Sequence, residues 1–236
     1  MAVIKKRNVV IISALLLTVF TFIMCFAALY KNPAGVSGTG ITVVLDAGHG
    51  GIDGGVSGIK TGVKESEINL AVVKKLAEYF SDAGINAVLT RKSDAGLYGV
   101  ASSTLKRRDM EKRRDIINAA KPTLVISVHM NYYASSNRRG GQVFFKSGSG
   151  QGEVLAKNIQ KHLNLLYEDV KDYSPLSGDY YILNCTEYPT VIAECGFLSN
   201  PQDEALLTTQ EFREELSYAL FCGAINYLTE ESIAYF

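Results

Sequence analysis

The sequence has no surplus of charge of either sign: 24 Lys and Arg stand against 24 Asp and Glu. A chain so balanced does not hold a nucleic acid mainly by neutralising phosphates, so that class of partner is excluded. Setting aside Lys5, Lys6 and Arg7 leaves 21 basic residues against 24 acidic ones, a remainder of about −3. Cysteine is scarce. Of four, Cys25 falls in an apolar N-terminal run, and the other three, Cys185, Cys195 and Cys222, cannot all pair with one another. No disulfide framework is dictated; one bridge and three free thiols fit equally well. Internal repeats and low-complexity segments are absent too. What remains is a chain of 236 residues with 47% hydrophobic content, enough for one domain around one sizeable core.

The sharpest break in composition is at the N-terminus. Residues 1–8 form a basic tail, and Val9 to Tyr30 then run without a charge. Such a run is long enough to cross a bilayer, whereas secretory signal cores are typically about 7–15 residues. A retained transmembrane anchor is the expectation; a signal segment is the alternative, with Met24-Cys25-Phe26-Ala27 as a poor cleavage site. The basic residues precede the run and only Lys31 follows it closely, which places the C-terminal bulk outside the cytoplasm. The stretch "KNPAGVSGTG" (31–40) reads as a linker, and residues 41–230 as the globular domain.

Within that domain apolar runs alternate with amphipathic stretches. ITVVLD (41–46), INAVLT (85–90), TLVISVHM (123–130), GGQVFFK (140–146) and TVIAECG (190–196) read as strands. Between them "SEINLAVVKKLAEYFSDAG" repeats apolar residues every four positions, at Ile68, Val72, Leu76 and Phe80, which predicts a helix capped by Ser66 and ended by Gly84. "TLKRRDMEKRRDIINAA" predicts an exposed helix whose mixed charges form a solvated face. "GEVLAKNIQKHLNLLY" and "EFREELSYALFCGAINYL" predict two more. The alternation implies an α/β fold, a single domain with a mostly parallel twisted sheet flanked by helices and preceded by the transmembrane helix.

In open sheets of this kind, sites gather beyond the carboxyl ends of strands. His49 follows the first strand, His129 closes the third, and Glu194 lies near the end of TVIAEC. Glu65 stands at the far end of the glycine-rich loop. Two histidines and a carboxylate with an open position form a ligand set of catalytic zinc. Each residue also has a plainer reading. His49 packs equally well as a loop histidine, His129 as a core residue bonded to a carbonyl, and Glu65 or Glu67 as an acid favouring a helix N-terminus. Glu194, flanked by Val191, Ile192, Ala193 and Cys195, is harder to dismiss, because a desolvated carboxylate needs a partner or a task. His162, inside an amphipathic helix, reads as surface or packing.

Rival chemistries fit less well. A dinucleotide loop starting at Gly48 needs a glycine where the chain has Asp53. The facial triad of non-haem iron enzymes is expected to set a carboxylate two residues from a histidine, and Gly51 and Asn131 occupy those places. Structural zinc sites are usually thiol-rich, and no cysteine lies in the motifs of His49, Glu65 or His129.

Four motifs in series, "LDAGHGG", "KESEINLA", "SVHMN" and "IAECGFLSN", resemble those of the zinc-dependent N-acetylmuramoyl-L-alanine amidases, a family of bacterial cell-wall hydrolases. The resemblance covers residues 41 to 228. It implies that His49, Glu65 and His129 hold Zn2+ and that Glu194 is catalytic, moving the proton of the attacking water to the leaving L-alanine nitrogen. Arg91 and Arg113 match family positions with structural or substrate-contacting roles. Asp46 and Asn131 lie close enough to the ligands to orient their rings, although Asp46 serves equally as a turn cap. The substrate implied is peptidoglycan, cut between the muramic lactyl group and L-alanine. Small size, one N-terminal span and no wall-binding repeats resemble the germination-specific members acting on spore cortex, where the cut is a step toward muramic δ-lactam. An accessory protein is a possible partner. A zinc peptidase on another cell-wall amide, or a membrane-tethered domain that binds peptidoglycan or recruits a partner, remains the alternative. Tyr180 and Tyr181, in the loop region 169–185, are candidate substrate contacts.

Overall fold

The computed structural model describes residues 40–99, 104–167 and 169–233. The basic tail, the expected span Val9–Tyr30 and all but the last residue of the linker lie outside them. Among the described residues no helix is long and apolar enough to cross a membrane.

The described chain forms one α/β unit. Strand β1 (Thr42–Ala47) is followed by helix α1 (Glu65–Asp82), β2 (Asn86–Leu89), α2 (Leu105–Ala120) and β3 (Leu124–Asn131). Next come β4 (Gln142–Lys146), α3 (Gly150–Leu166), β5 (Leu176–Gly178), the short α4 (Tyr181–Asn184) and β6 (Thr190–Phe197). The segment closes with α5 (Pro201–Leu207) and α6 (Gln210–Ile233). The six strands lie in the order β2-β1-β3-β6-β4-β5. Those from β2 to β6 pair in parallel, β4 runs antiparallel to β6, and β5 is parallel to β4. The mostly parallel sheet expected from the sequence is present, with a reversed edge that hydrophobic periodicity cannot reveal.

Side chains alternate across a strand, and here the alternation decides where chemistry sits. Val43, Leu45 and Ala47 of β1, Leu124, Ile126, Val128 and Met130 of β3, and Val191, Ala193 and Cys195 of β6 face the larger core, under α1, α3 and α6. Helices cover this face and a smaller core lies on the other, so residues 43–45, 124–126 and 191–193 read as unbroken apolar runs. Val44, Val125 and Ile192 face the smaller core with Ile117, Ile182 and Leu183. By the same period of two, Asp46, Ser127, His129 and Glu194 share this thinner face. Ala193 and Cys195 make Glu194 look embedded in the sequence, yet they point to the opposite side of the sheet.

Helix α1 buries Ile68, Val72, Leu76 and Phe80 as the four-residue spacing predicts, and Gly84 ends it with a left-handed φ of 73°. Its start differs from expectation. The N-cap is Lys64, with no side-chain cap, and Ser66 lies inside the first turn with its carbonyl accepting from Arg91. Helix α2 is largely exposed and buries Arg113 and Ile117. Helix α5 has no counterpart in the sequence reading. Its signal is local: the Asn200 side chain accepts from the N–H groups of Gln202 and Asp203, and Pro201 occupies the first turn.

Candidate active site

His49 sits just beyond β1 with a left-handed φ of 60°. That conformation costs a non-glycine residue on the order of 1–3 kcal/mol and persists only where its surroundings enforce it. Two buried arginines do so. Arg91 donates to the carbonyls of Ala47 and Gly48 at 2.9 and 3.0 Å, and Arg113 to those of Ala47 and His49, both at 2.7 Å. Three successive carbonyls are thus fixed by guanidinium forks. Arg91 also holds the Ser66 carbonyl at 2.7 Å, which ties the His49 turn to the first turn of α1.

That first turn begins with Glu65, 2% exposed. Its Oε1 lies 3.2 Å from Nε2 of His49 and 2.9 Å from Nδ1 of His129. The N–H of Met130 and the amide of Asn69 donate to the same oxygen, at 3.2 and 3.3 Å, while the Val56 N–H donates to Oε2 at 2.9 Å. The two rings meet edge to face with centroids 5.0 Å apart. Ligand atoms of His49, Glu65 and His129 all lie within 4.8 Å of one another, close enough to hold one metal ion. Gly48 makes the crowding possible: a Cβ there would lie 2.2 Å from the His129 ring.

Electrostatics follow the geometry. Burial works against charge on His49, but hydrogen bonds to Glu65 and then Asp53 outweigh it and raise the ring from 6.5 to about 9. Glu65 is held far below the carboxylate range, against its burial, by His129 and His49. Glu194 moves the other way. Burial lifts it from 4.5 to about 7, against the pull of His129 and with a push from Glu65. Glu194 stands opposite His129 in the β3–β6 register, and among the described residues its buried Oε2 has no hydrogen-bond partner.

Of the remaining candidates, Asp46 and Asn131 do not orient the rings. Asp46, 1% exposed, accepts from Thr90 and Arg113 on one oxygen, at 2.7 and 2.5 Å, and from Ser127 on the other at 2.6 Å. Those bonds leave it the counter-ion of Arg113. The Asn131 side chain turns to the Tyr132 N–H at 2.8 Å. The carboxylate besides Glu65 that contacts a ring is Asp53, whose Oδ2 lies 2.9 Å from Nδ1 of His49. The signal was there in the four-residue spacing within a glycine-rich turn. Asn69 was equally unmarked; its amide donates to the Gly48 carbonyl at 3.1 Å as well as to Glu65. His162 pairs with Asn226 between α3 and α6, remote from these residues in the fold, and Cys185, Cys195 and Cys222 are free thiols.

His49, His129 and Glu194 open onto a cleft of about 640 Å³. Tyr180, Tyr181 and Ile182 line it together with Ile52, Tyr98 and Leu105, a mainly apolar wall with polar groups concentrated beside the histidines.

Both the sequence and the fold are similar to those of known proteins. The germination-specific N-acetylmuramoyl-L-alanine amidase of Bacillus subtilis is 32% identical over 197 residues, 82% of this chain and 82% of that protein. The structure of the CwlD amidase from Clostridioides difficile, solved in complex with the GerS lipoprotein, superposes with a TM-score of 0.77 at 31% identity, covering 80% of this chain and 98% of that one. An N-acetylmuramoyl-L-alanine amidase from Clostridium difficile 630 gives 0.71 at 25% identity, covering 80% and 97%. The family model described as N-acetylmuramoyl-L-alanine amidase matches residues 43–226, from β1 into α6 and across every residue of the site, and the chain belongs to that family of peptidoglycan-cleaving enzymes.

Proposed function

We propose that the chain is a zinc-dependent amidase acting on spore cortex peptidoglycan, where its cut between the muramic lactyl group and L-alanine is a step toward the muramic δ-lactam needed for germination. One observation carries the chemistry. A His-Glu-His donor set stands beside Glu194, whose buried Oε2 has no hydrogen-bond partner among the described residues and whose carboxyl burial lifts to about 7. Two imidazoles and one carboxylate suit zinc and leave a position open. His49, Glu65 and His129 would hold the zinc, which would supply Lewis acidity for the amide carbonyl and a more acidic water at neutral pH.

The chain's own residues do the rest. Glu194 takes the proton of the attacking water on its carboxylate and passes it to the leaving L-alanine nitrogen; a value of about 7 lets one group serve as base and then as acid. Asp53 engages Nδ1 of His49 and leaves Nε2 toward the centre. Arg91 and Arg113 are positioning residues that hold the strained His49 turn. Tyr180 and Tyr181, which line the cleft beside Glu194, are placed to contact the substrate.

The cortex assignment rests on the similarity to the germination-specific enzyme of Bacillus subtilis. The uncharged run of residues 9–30 behind Lys5, Lys6 and Arg7 supports a membrane anchor or a signal segment, either of which puts the domain outside the cytoplasm. An accessory protein belongs to the same reading, since the C. difficile amidase was solved with a lipoprotein bound. The test is genetic and chemical: spores lacking this chain should have cortex without muramic δ-lactam, restored by the wild-type gene and not by a Glu194→Gln copy. Normal δ-lactam in its absence contradicts the cortex role.

A further inference from the structure

The loop from β1 to α1 makes an excursion past the histidines before it returns to deliver Glu65, and a turn within it is gripped by a carboxylate from another element. Glu204, in the first turn of α5, is 1% exposed and faces the turn at residues 58–62. The Lys60 N–H donates to both of its oxygens, at 3.0 and 2.9 Å. Thr61 donates to Oε1 through both its N–H and its hydroxyl, each at 2.7 Å. The turn closes so tightly that a Cβ on Gly58 would lie 2.3 Å from Glu204 Oε1. A buried carboxylate receiving three donors, one of them shared between its two oxygens, is a strong local anchor.

The anchor continues into the site through a ladder. The Gly58 N–H bonds the Val63 carbonyl at 2.9 Å, Ser57 pairs with Lys64, and the Glu65 N–H bonds the Val56 carbonyl at 2.8 Å. The Val56 N–H then returns a bond to Oε2 of Glu65 at 2.9 Å, while Oε1 faces the two histidines. The tip of this excursion is held by Glu204 and its base sets the direction of the Glu65 carboxylate.

Resting on the reading of His49, Glu65 and His129 as zinc ligands, we propose that Glu204 is a positioning residue for the metal centre: by fixing the 58–62 turn against α5 it aligns the ladder that aims Glu65 between the histidines. Glu204 touches no substrate and no reacting atom. Its effect passes through residues 54–65.

The test uses the purified full chain, with zinc affinity read by competition against a chromophoric chelator well below each variant's unfolding temperature. Amide hydrogen exchange of residues 54–65 is read on the metal-free chain. Glu204→Gln, which sets an amide against N–H donors, should weaken zinc binding about 10- to 100-fold and speed exchange in 54–65 while β1 and β3 stay protected. Thr61→Val should move both readings the same way, by less. In a Glu65→Ala background Glu204→Gln should add no further loss of zinc affinity, since the route to the metal is already cut. Unchanged zinc affinity in folded Glu204→Gln, or an equal loss repeated without Glu65, overturns the proposal. If Glu204→Gln does not fold, Thr61→Val and Gly58→Ala decide by the same readings. A wild-type chain that takes up no zinc overturns the zinc reading and this proposal together, whereas wild-type binding with an unaffected variant overturns this proposal alone.

Discussion

Arg113 of α2 donates its Nη2 to the main-chain carbonyl of His49 at 2.7 Å, across 64 positions of sequence. The same guanidinium bonds Asp46 at 2.5 Å and Asp109 at 2.6 Å, so one buried cation joins the end of β1, the histidine turn and α2. Its removal leaves Asp46 as an uncompensated buried charge. Arg113→Met should therefore destabilise the fold by about 3–5 kcal/mol. Adding Asp46→Asn should recover part of that loss. Urea unfolding of the two single variants and the double variant checks the prediction, and strictly additive losses contradict it.

The same pair sets a pH dependence of stability. Burial alone would raise Asp46, but Arg113, Ser127 and Thr90 outweigh it and hold the carboxyl at about 2 against an ordinary 3.8. A group depressed in the folded state binds its proton first in the unfolded chain, so its stabilisation is present above about 3.8 and is lost as pH falls through about 2. The contribution is about 2 kcal/mol. The stability advantage of wild type over Asp46→Asn should shrink between pH 5 and pH 2 in parallel denaturant titrations; a constant gap contradicts it.

Asp53 is more exposed than the ligands it serves, yet its bond to Nδ1 of His49 selects the nitrogen that faces the centre. Asp53→Ala should cost about tenfold or more in zinc affinity with little change in melting temperature of the metal-free chain. Chelator competition and a thermal scan separate the two. Equal affinity would assign the bond to the surface alone.

Gly48→Ala makes a sharper steric prediction. A methyl group there meets the His129 ring at 2.2 Å, so the ring must leave its place. Zinc content should fall well below one per chain while far-ultraviolet circular dichroism stays that of the folded domain. Full zinc content in this variant contradicts the proposed packing of the centre.

Much of this architecture was legible in the sequence, and the parts that were not share a physical cause. The runs from Val43, Leu124 and Val191 and the period of Ile68, Val72, Leu76 and Phe80 encode burial, and burial is what composition records. His49, His129 and Glu194 could be placed at strand ends because the ends themselves are marked by glycine and polar residues. Which acid orients which ring could not be placed, since it depends on the left-handed turn at His49 that brings Asp53 round. Asp46, inside β1, reads from the sequence as a ring-orienting group or a turn cap and instead belongs to Arg113. Helix α5 is only seven residues long, too short for a periodic signal, and its effect on the Glu65 loop exists only in three dimensions. The reversal of β4 against β6 is likewise a property of connection and not of pattern.

The proposed division of labour has His49, Glu65 and His129 as metal ligands and Glu194 as the proton carrier. The most direct measurement is peptidoglycan cleavage by the purified zinc-loaded chain, reading new L-alanine amino termini and bound zinc on the same samples for wild type and Glu194→Gln. Wild type should release amino termini, Glu194→Gln should lose at least about 10²-fold, and both should carry close to one zinc per chain. Loss of zinc together with activity in Glu194→Gln, or undiminished cleavage without the carboxylate, would contradict it.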